Sequence, residues 1–445
     1  MHNSIDCLLV NATYNRNKEI DKVVSKMPNI GILSLAATLL SNGLTVELLD
    51  TDLRCMDNDE IDTYAAAMVL PPRFIGVSST TLAIKQALDI CEIFKARFPD
   101  TITIIGGPHA TLLPDEVLIS QYVDLVVRRE GEFALLEVIQ SVEPLEKISG
   151  ISFKRDGKTV HNPERLLLKD LDSLPLPAYH LININEYRPS VGCCQRLPFM
   201  PVLTAKGCTG KCTFCATNLF GSRIRFKSSA KVIEELSFLV DNFQIKEIVF
   251  YDDVFTASQK RTFEICDLII ANKLDLTWSC LCRADQTPRS LLVRMKEAGC
   301  HTISYGVESG NEDILKTINK QIDLAKVEEA VFNCKELGIN QRLAFMFGNP
   351  GETLETMEQT FQFAKKLDPT HALFNITTPY PGSEMYAWAE QNGLFITKDW
   401  MRFNGMESLI TLPTVTKEEV EKYCYMARDY FIQRHFSKSE LGSRE

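Results

Sequence analysis

The feature that most constrains this fold is an alternation of short apolar segments with helical segments, in two blocks along the chain. In residues 1–140, four segments have the length and composition of strands, and segments with helical periodicity lie between them. The strand candidates are Ile5–Val10, Thr45–Asp50, Phe74–Ser78 and Thr101–Ile105, and the helix candidates are Ile30–Leu40 and Ala83–Phe98. This order predicts a doubly wound, Rossmann-like parallel sheet, whose ligand lies beyond the carboxyl ends of the strands.

The second block begins at Pro201 and repeats the strand–helix unit six times. Its strand candidates are Val202–Ala205, Glu247–Tyr251, Thr277–Cys282, Thr302–Val307, Arg342–Phe347 and Ala372–Thr377. Helix candidates between them include Lys231–Asn242, Pro288–Ala298 and Leu324–Leu337, the last followed by Gly338 as a helix-ending glycine. Six such units predict a (β/α)6 partial TIM barrel over residues 201–385, with function in the loops at the carboxyl ends of its strands. We expect residues 386–445 to be mostly helical, from about Thr416 to a frayed tail.

Residues 141–200 interrupt the alternation and are predicted to be a linker between two domains. The segment from Gly150 to Val160 has the pattern of a β-hairpin, with Asp156-Gly157 as its turn. Five prolines then follow within 36 residues, at positions 163, 175, 177, 189 and 198, which favours loops over helices and strands.

Composition excludes several classes of protein. The 48 basic and 58 acidic residues give a net charge of −10, which disfavours a nucleic-acid partner. No run approaches 18 apolar residues, and the first residues lack the basic and apolar parts of a signal peptide, so we expect a cytoplasmic protein without a membrane span. In a reducing compartment the 14 cysteines are predicted to be thiols or metal ligands rather than disulfides.

Three cysteines carry the sharpest chemical signal. Cys208, Cys212 and Cys215 are spaced Cys-x3-Cys-x2-Cys directly after the first strand candidate of the second block. Three thiolates on one short loop suit three irons of a [4Fe–4S] cluster and leave the fourth iron open. A structural zinc site is the alternative, and it would need a fourth ligand such as one of the pair Cys193-Cys194. The cysteines outside these two groups lie in apolar segments and are interpreted as buried small side chains.

The triplet, with an aromatic residue before its last cysteine, resembles that of the radical S-adenosylmethionine (SAM) superfamily. Five further motifs follow in the order and spacing of the cobalamin-dependent branch of that family. They are Phe250-Tyr-Asp-Asp-Val-Phe255, Trp278-Ser-Cys-Leu-Cys-Arg283, Gly306-Val-Glu-Ser-Gly310, Gly348-Asn-Pro-Gly-Glu-Thr353 and Thr378-Pro-Tyr-Pro-Gly-Ser383. The resemblance spans about residues 1–395 and implies a cluster whose open iron chelates SAM and cleaves it to a 5′-deoxyadenosyl radical.

The same resemblance implies which residues contact SAM. Arg283 would pair with the SAM carboxylate, for which a guanidinium fork is suited. Glu308 and Ser309 would contact the amino group or the ribose, and Phe347-Gly348 the adenine edge. The complete set of implied SAM contacts is Phe214, Asp252, Asp253, Arg283, Glu308, Ser309, Phe347 and Gly348. Purely structural alternatives are a surface carboxylate partner for Arg283, a solvated strand end for Asp252 and Asp253, and a simple turn at Gly351-Glu352.

Residues 1–140 resemble the cobalamin-binding domains attached to such barrels, through Pro28–Ala37, Ser78–Leu82 and Gly106–Ala110. Glycines at a strand end let a large ligand approach the backbone, and hydroxyls can bond its nucleotide tail. The implied cobalamin contacts are Ser78, Thr80, Leu82, Gly106, Gly107 and His109. The usual Asp-x-His-x-x-Gly element is absent, since His2 and His109 are the histidines before residue 150. We therefore expect cobalamin without a protein imidazole on cobalt, or else a vestigial domain that no longer binds it.

The leading functional hypothesis is a cobalamin-dependent radical SAM enzyme that methylates an unactivated carbon or phosphorus of a small molecule or peptide. The resemblance implies a flavodoxin- or ferredoxin-type electron donor. One alternative is a radical cyclase, rearranging or dehydrating enzyme without methyl transfer. A tRNA methylthiotransferase would need three more clustered cysteines in the first domain, and a corrinoid sensor would not need the triplet. No residue is assigned as catalytic; Tyr251, Tyr305 and Tyr380 are candidates for substrate contact, with barrel-core packing as the alternative.

Overall fold

A computed structural model describes residues 5–14, 25–141 and 143–442. It divides into two compact units, Met1–Ser190 with Asn218–Gly221, and Val191–Thr217 with Ser222–Glu445. His2 lies outside the described residues. The contact pattern divides the chain after Ser190, so the hairpin predicted as part of a linker belongs to the first unit.

The first unit is built on one mixed sheet. Its strands are β1 (Cys7–Asn11), β2 (Val46–Asp50), β3 (Phe74–Ser78), β4 (Ile102–Gly106), β5 (Leu125–Val127), β6 (Ile151–Arg155) and β7 (Lys158–His161). The order is β2-β1-β3-β4-β5-β6-β7, with the first five parallel and the last two antiparallel. The parallel part has the order of a doubly wound sheet, which confirms the predicted class and places the topological switch between β1 and β3.

Helices connect these strands. They are α1 (Ile30–Ser41), α2 (Thr51–Arg54), α3 (Asn58–Ala67), α4 (Ile84–Arg97), α5 (Pro108–Leu112), α6 (Pro114–Ile119) and α7 (Glu132–Gln140). Asn29 begins α1 because its side chain accepts a hydrogen bond from the Ile32 amide. The hairpin β6–β7 turns at Asp156-Gly157, as predicted, and Phe153 on β6 packs into the same apolar core as α1 and β1. Burial of that strand explains why the hairpin extends the sheet.

The second unit contains a six-stranded parallel sheet in the order β15-β14-β13-β12-β11-β8, beside a two-stranded ribbon of β9 and β10. The strands are β8 (Phe199–Val202), β9 (Ala205–Lys206), β10 (Arg225–Phe226), β11 (Glu247–Phe250), β12 (Thr277–Cys282), β13 (Cys300–Glu308), β14 (Asn340–Phe347) and β15 (His371–Ile376). Within the described residues, β8 and β15 each pair with one neighbour and form the two edges of the sheet. The barrel is therefore not closed, which is the predicted partial barrel. The first strand lies earlier than the predicted Val202–Ala205 because Phe199–Val202 pairs in register with Glu247–Phe250.

Helices of the second unit cover one face of this sheet. They are α8 (Ser229–Phe243), α9 (Gln259–Ala271), α10 (Arg289–Glu297), α11 (Glu312–Thr317), α12 (Leu324–Glu336), α13 (Leu354–Leu367), α14 (Glu384–Gln391) and α15 (Lys417–Gly442). Gly338 follows α12 with a φ of +61°, which matches its predicted role. Helix α15 continues through residues that the sequence predicts to fray, while 443–445 lie outside the described residues. In the described part of the chain, none of the helices combines the length and apolarity of a membrane span.

The two faces of the six-stranded sheet differ in burial. Trp278, Phe345 and Phe347 point toward the helices and are fully buried, with Trp278 packed edge-on against Phe250. On the opposite, interior face, Leu281 and Leu373 remain 41% exposed. Large apolar side chains with this exposure inside a barrel indicate an open interior rather than a filled one.

Candidate functional site

The three predicted cluster ligands lie on one loop after β9. Cys208, Cys212 and Cys215 are partly exposed, and a side-chain carbon placed on Gly210 would lie 3.3 Å from the Cys208 Sγ and 3.8 Å from the Cys212 Sγ. The Gly210 amide also donates a hydrogen bond to the Cys208 Sγ. The sulfur atoms of Cys208 and Cys212 therefore both lie close to Gly210. No disulfide involves any of the 14 cysteines, all of which are described, and most of the others are buried as the sequence predicts.

Contacts from two distant segments hold this loop. The Thr213 amide donates to the Ile318 carbonyl at 3.0 Å, and the Met385 amide donates to the Thr213 carbonyl at 2.8 Å. Phe214 packs against a small apolar cluster that includes Ile318 and Met385. The side chain of Phe214, a predicted SAM contact, thus packs against this cluster and holds the cysteine loop in place.

The sequence also allows a zinc site in which Cys193 or Cys194 is the fourth ligand. These residues precede β8, whereas Cys208 follows its carboxyl end, so the two groups are associated with opposite ends of the strand. Cys193 Sγ instead lies 2.7 Å from Nη1 of Arg342. The pair supplies no fourth ligand to the cysteine loop.

Asp252, predicted to contact SAM, has a structural role. Its Oδ1 accepts hydrogen bonds from the amides of Thr204 (2.6 Å) and Ala205 (3.0 Å), and its Oδ2 accepts one from the Thr204 hydroxyl. The carboxyl group is fully buried, and burial raises its pKa. Asp252 therefore fixes the chain segment that leads into the cysteine loop, and its acceptors are already engaged.

The neighbouring residues Tyr251 and Asp253 are exposed at the end of β11. Tyr251 is 54% exposed, while the Asp253 carboxylate has no hydrogen-bond or ion-pair partner within the described residues. Desolvation by surrounding protein raises the pKa of Asp253 even so. These two side chains remain available to a ligand. Tyr305 is instead fully buried and bonds Thr287 and Cys334, which makes it part of the core.

Glu308 lies at the end of β13 in an uncommon conformation. Its φ is +70°, the register of β13 against β14 shifts between Gly306 and Glu308, and its Oε1 is 2.8 Å from Nζ of Lys320. Both side chains are almost fully buried, and a side-chain carbon at Gly306 would collide with Glu308 Oε1. A left-handed non-glycine residue at a strand end is typical of functional sites.

The buried pair of Glu308 and Lys320 lies close enough to Cys212 to influence its thiol. Burial raises the pKa of Cys212, while the Lys320 and Arg283 cations act in the opposite direction. Lys320 was not predicted from the sequence. No spacing rule singles it out, because it lies in a loop after α11 and reaches Glu308 only through the fold.

Arg283 pairs with a nearby carboxylate, the structural alternative to a SAM contact. Its Nε and Nη2 donate to the two carboxylate oxygens of Asp285, each at 3.0 Å, and Nη2 also donates to the Gln321 carbonyl at 2.8 Å. The predicted fork for the SAM carboxylate is therefore engaged by Asp285. Arg283 nevertheless lies near Cys208 and Cys212.

Two other predicted SAM contacts turn away from the barrel interior. Ser309 is fully buried, and its Oγ bonds Thr360 Oγ1 at 3.0 Å. Phe347 is stacked on Phe374 and meets Tyr423 edge-on, on the helix-covered face. Their side chains stabilise packing, so only the backbone of these positions can face a ligand.

Gly348 begins a tight loop at the end of β14. Its φ is +85°, and a side chain there would press on Val420, 3.1 Å away. Glu352 closes this loop because its Oε2 accepts from the Asn349 amide at 2.8 Å, while its buried Oε1 has no partner in the described residues. Burial raises the pKa of Glu352 to about 7. The Gly351-Glu352 turn is thus a loop closure before α13.

In the first unit, the predicted cobalamin contacts gather at the carboxyl ends of β3 and β4. The Ser79 amide donates to the Gly106 carbonyl at 3.1 Å, and Gly107 has a φ of +96°. A side-chain carbon on Gly107 would lie 2.5 Å from the Ser79 carbonyl oxygen, so glycine is required there. Ser78, Leu82 and both glycines are partly exposed, and Thr80 is exposed.

His109 does not belong to that exposed edge. Its side chain is fully buried, with Nδ1 3.3 Å from the Thr81 Oγ1, and burial lowers its pKa to about 4. The prediction that His109 contacts cobalamin is therefore at odds with the burial of its side chain. His109 is the second residue of α5, and it lies on the buried side of that helix together with Ala110.

Comparisons with known proteins agree with this division. The family model described as the radical SAM superfamily matches residues 202–364, and the model described as the B12 binding domain matches residues 19–139. The first model covers β9 to β14 of the second unit, and the second model covers β2 to β5 of the first unit.

Three individual proteins illustrate the similarity. The chain is 36% identical to the uncharacterized methyltransferase PH0819 of Pyrococcus horikoshii, over 82% of this chain and 79% of that protein. It is 27% identical to the anaerobic magnesium-protoporphyrin IX monomethyl ester cyclase of Rubrivivax gelatinosus, over 82% and 67%. Among solved structures, the methyltransferase TsrM from Kitasatospora setae with cobalamin and a [4Fe-4S] cluster superposes with a TM-score of 0.69 and 20% identity, covering 87% of this chain and 74% of TsrM. That similarity supports the fold.

Replacing Asp252 by Ala should weaken the cysteine loop. The change leaves the buried amides of Thr204 and Ala205 without an acceptor, which costs about 3 kcal/mol. We expect a lower thermal midpoint for the second unit by calorimetry and less iron per chain after reconstitution. Asp253→Ala is the matched control and should change stability by less than about 0.5 kcal/mol. Equal effects of the two changes would contradict the role of Asp252.

Glu352 should make stability depend on pH. Its pKa in the folded state, about 7, exceeds that of an unfolded glutamate, so the folded state retains a proton that the unfolded state loses. Stability should therefore fall as pH rises from about 4.5 to 7, by a difference on the order of 3 kcal/mol. Glu352→Gln, which mimics the protonated form, should flatten this dependence in calorimetric scans. Parallel profiles for both proteins would show that Glu352 is ionised in the fold.

Proposed function

Because the chain belongs to the radical SAM superfamily and carries a B12 binding domain before its barrel, we propose that it is a cobalamin-dependent methyltransferase. Its proposed substrate is a small molecule or peptide with an unactivated carbon or phosphorus as methyl acceptor, rather than a nucleic acid. A flavodoxin or ferredoxin is the proposed electron donor, and the cytoplasm the proposed location.

The observation that carries the proposal is the position of the cysteine triplet beside an open barrel interior. Three partly exposed thiols lie at the carboxyl edge of the sheet, while Leu281 and Leu373 remain uncovered on its inner face. The relative PH0819, which is 36% identical over most of both chains, is named a methyltransferase.

The residues of the second unit fit an iron–sulfur cluster and SAM. Soft thiolate ligands at Cys208, Cys212 and Cys215 suit iron, and the Lys320 and Arg283 cations lie near Cys212, where they act against the burial that raises its pKa. Asp253 and the Glu308–Lys320 pair are the charged groups proposed to receive the amino-acid end of SAM. When bound, the cluster supplies the electron for SAM cleavage and cobalamin supplies the methyl carrier.

The first unit fits a large cofactor at the carboxyl ends of β3 and β4, next to the switch point between β1 and β3. Gly106 and Gly107 present bare backbone at the end of β4, and Ser78 and Thr80 present hydroxyls at the end of β3. Ser78, Thr80, Leu82, Gly106 and Gly107 are therefore proposed as cobalamin contacts, and His109 is omitted because its ring is buried.

A cyclase-type radical reaction is the second candidate, because relatives named magnesium-protoporphyrin IX monomethyl ester cyclase match most of the chain. Anaerobic reconstitution with iron, sulfide, cobalamin and SAM, followed by addition of a reductant and candidate substrates and by product analysis, separates the two. Methyl transfer predicts S-adenosylhomocysteine together with 5′-deoxyadenosine and a product heavier by one methylene. 5′-Deoxyadenosine without S-adenosylhomocysteine would instead support the cyclase type.

Changing Cys208, Cys212 and Cys215 together to Ala should abolish cluster binding. The charge-transfer absorbance near ~400 nm, which arises from thiolate-to-iron bonds, is expected to disappear. Cys194→Ala is the control, and it should retain the full absorbance and iron content. A triple variant that still binds four irons would rule out the triplet, and iron loss in Cys194→Ala would support the alternative ligand set.

Cobalt should carry no protein imidazole. His109 is buried against Thr81, so its ring is not offered at the exposed strand ends. The electron paramagnetic resonance spectrum of Co(II)-cobalamin bound to the protein should be unchanged when histidine is labelled with 15N, and unchanged in His109→Ala. Nitrogen hyperfine structure that responds to the label and vanishes in His109→Ala would refute this. Absence of cobalamin after reconstitution would favour a vestigial domain.

A further inference from the structure

The inner face of the six-stranded sheet carries one arginine that the proposed cofactor contacts do not use. Arg342 lies on β14, in register with Ser304 on β13, which is itself in register with Leu281 on β12. Its neighbours along β14, Gln341 and Leu343, are buried on the opposite face, whereas Arg342 is only half-buried. Arg342 therefore shares the open interior with the exposed Leu281.

The guanidinium of Arg342 has few partners. Nη1 lies 2.7 Å from Cys193 Sγ and 3.4 Å from Ser304 Oγ, both uncharged groups. Nε is buried and has no acceptor, and no carboxylate lies within ion-pair distance of this side chain among the described residues. Nε and Nη2 of this half-buried guanidinium therefore have no acceptor among the described residues. This arrangement is unusual, because half-buried charges are normally paired.

Other charged groups nearby are already engaged. The Glu247 carboxylate, which belongs to the same sheet, accepts from His301 Nε2 at 2.7 Å and from the amides of Gln195 and Arg196. Burial raises the pKa of Cys193, so its thiol does not neutralise the arginine. The positive charge of Arg342 is thus not compensated by an anion in direct contact.

Arg283, in the same unit, shows what Nε and Nη2 of a guanidinium bind. Its Nε and Nη2 engage both oxygens of Asp285, each at 3.0 Å. In Arg342 the Nε atom is buried, so Nη2, which has no acceptor among the described residues, is the atom that can donate to a carboxylate or a phosphoryl group. Because Arg342 lies in one row with Ser304 and the exposed Leu281, the anion would be attached to an apolar body.

We propose that Arg342 binds the anionic group of the substrate, a carboxylate or phosphoryl group, while Leu281, Leu373 and Tyr251 contact the apolar remainder. The substrate is accordingly an amphipathic organic anion. This inference rests on the proposed function, since it assumes that the substrate occupies the barrel interior. Arg342 is a binding residue, and it takes no part in holding the cluster or SAM.

Binding of three matched probes tests the proposal. Phenylacetate and phenylphosphonate carry the two candidate anions on the same ring, and phenylacetamide is their neutral counterpart. Affinities would be measured by calorimetric titration of the reconstituted full-length protein with saturating SAM, so that the SAM site is filled. We expect at least one acid to bind about tenfold or more tightly than the amide, and the tighter acid identifies the group.

The variant Arg342→Gln should remove this preference and leave amide binding, iron content and SAM affinity unchanged. Arg294→Gln is the control, because it removes the same charge from a residue that, within the described part of the chain, pairs with the exposed Asp267 and Glu297. If Arg342→Gln does not reach the native iron content, Arg342→Lys is measured instead. This variant keeps the positive charge but lacks the planar guanidinium, and the preference for the acids over the amide is again the quantity compared.

Several results would overturn the proposal. These are equal binding of all three probes by the native protein, no binding of any, or an equal loss of acid and amide affinity in the Arg342 variants. A separate incubation with SAM, cobalamin, an added reductant and candidate substrates tests the proposed function through 5′-deoxyadenosine and S-adenosylhomocysteine. Absence of S-adenosylhomocysteine there, with an intact acid preference in the titrations, would reject methyl transfer and retain the anion site.

Discussion

The alternation of side chains along six parallel strands is the constraint on which the second unit depends. Every second residue faces the helices and is closely packed, as Trp278 and Phe345 are, and the intervening residues face the interior. Since all six strands run in one direction, their carboxyl ends meet at one edge. The cysteine loop, Asp253, Glu308 and the open interior are therefore brought together by topology alone.

The same constraint separates residues that hold the site from residues that are available to a ligand. Asp252 is committed to the chain before the cysteine loop, and Ser309 to Thr360. Asp253 is left exposed by contrast, and Glu308 pairs with Lys320 beside Cys212. Adjacent residues in one motif thus have different roles, because successive side chains leave a strand end in different directions.

Much of this could be predicted from the sequence, and the failures have physical causes. Strand and helix periods located most elements, and Gly338 and Asp156-Gly157 were predicted correctly because their backbone conformations depend on local residue type. The partners of Arg283 and the role of Lys320 could not be predicted. Lys320 meets Glu308 only because β13 shifts register after Gly306, and a pattern of residue types does not contain that shift.

The three thiolates of the cysteine loop are expected to hold a cluster with one iron left open for SAM. Electron–nuclear double resonance on the reduced cluster, with SAM labelled by 17O in its carboxylate, measures this. We expect hyperfine coupling between the cluster and the labelled oxygen, because three thiolates leave one iron without a protein ligand. Bound SAM without such coupling, or a fourth protein ligand on the cluster, would contradict it.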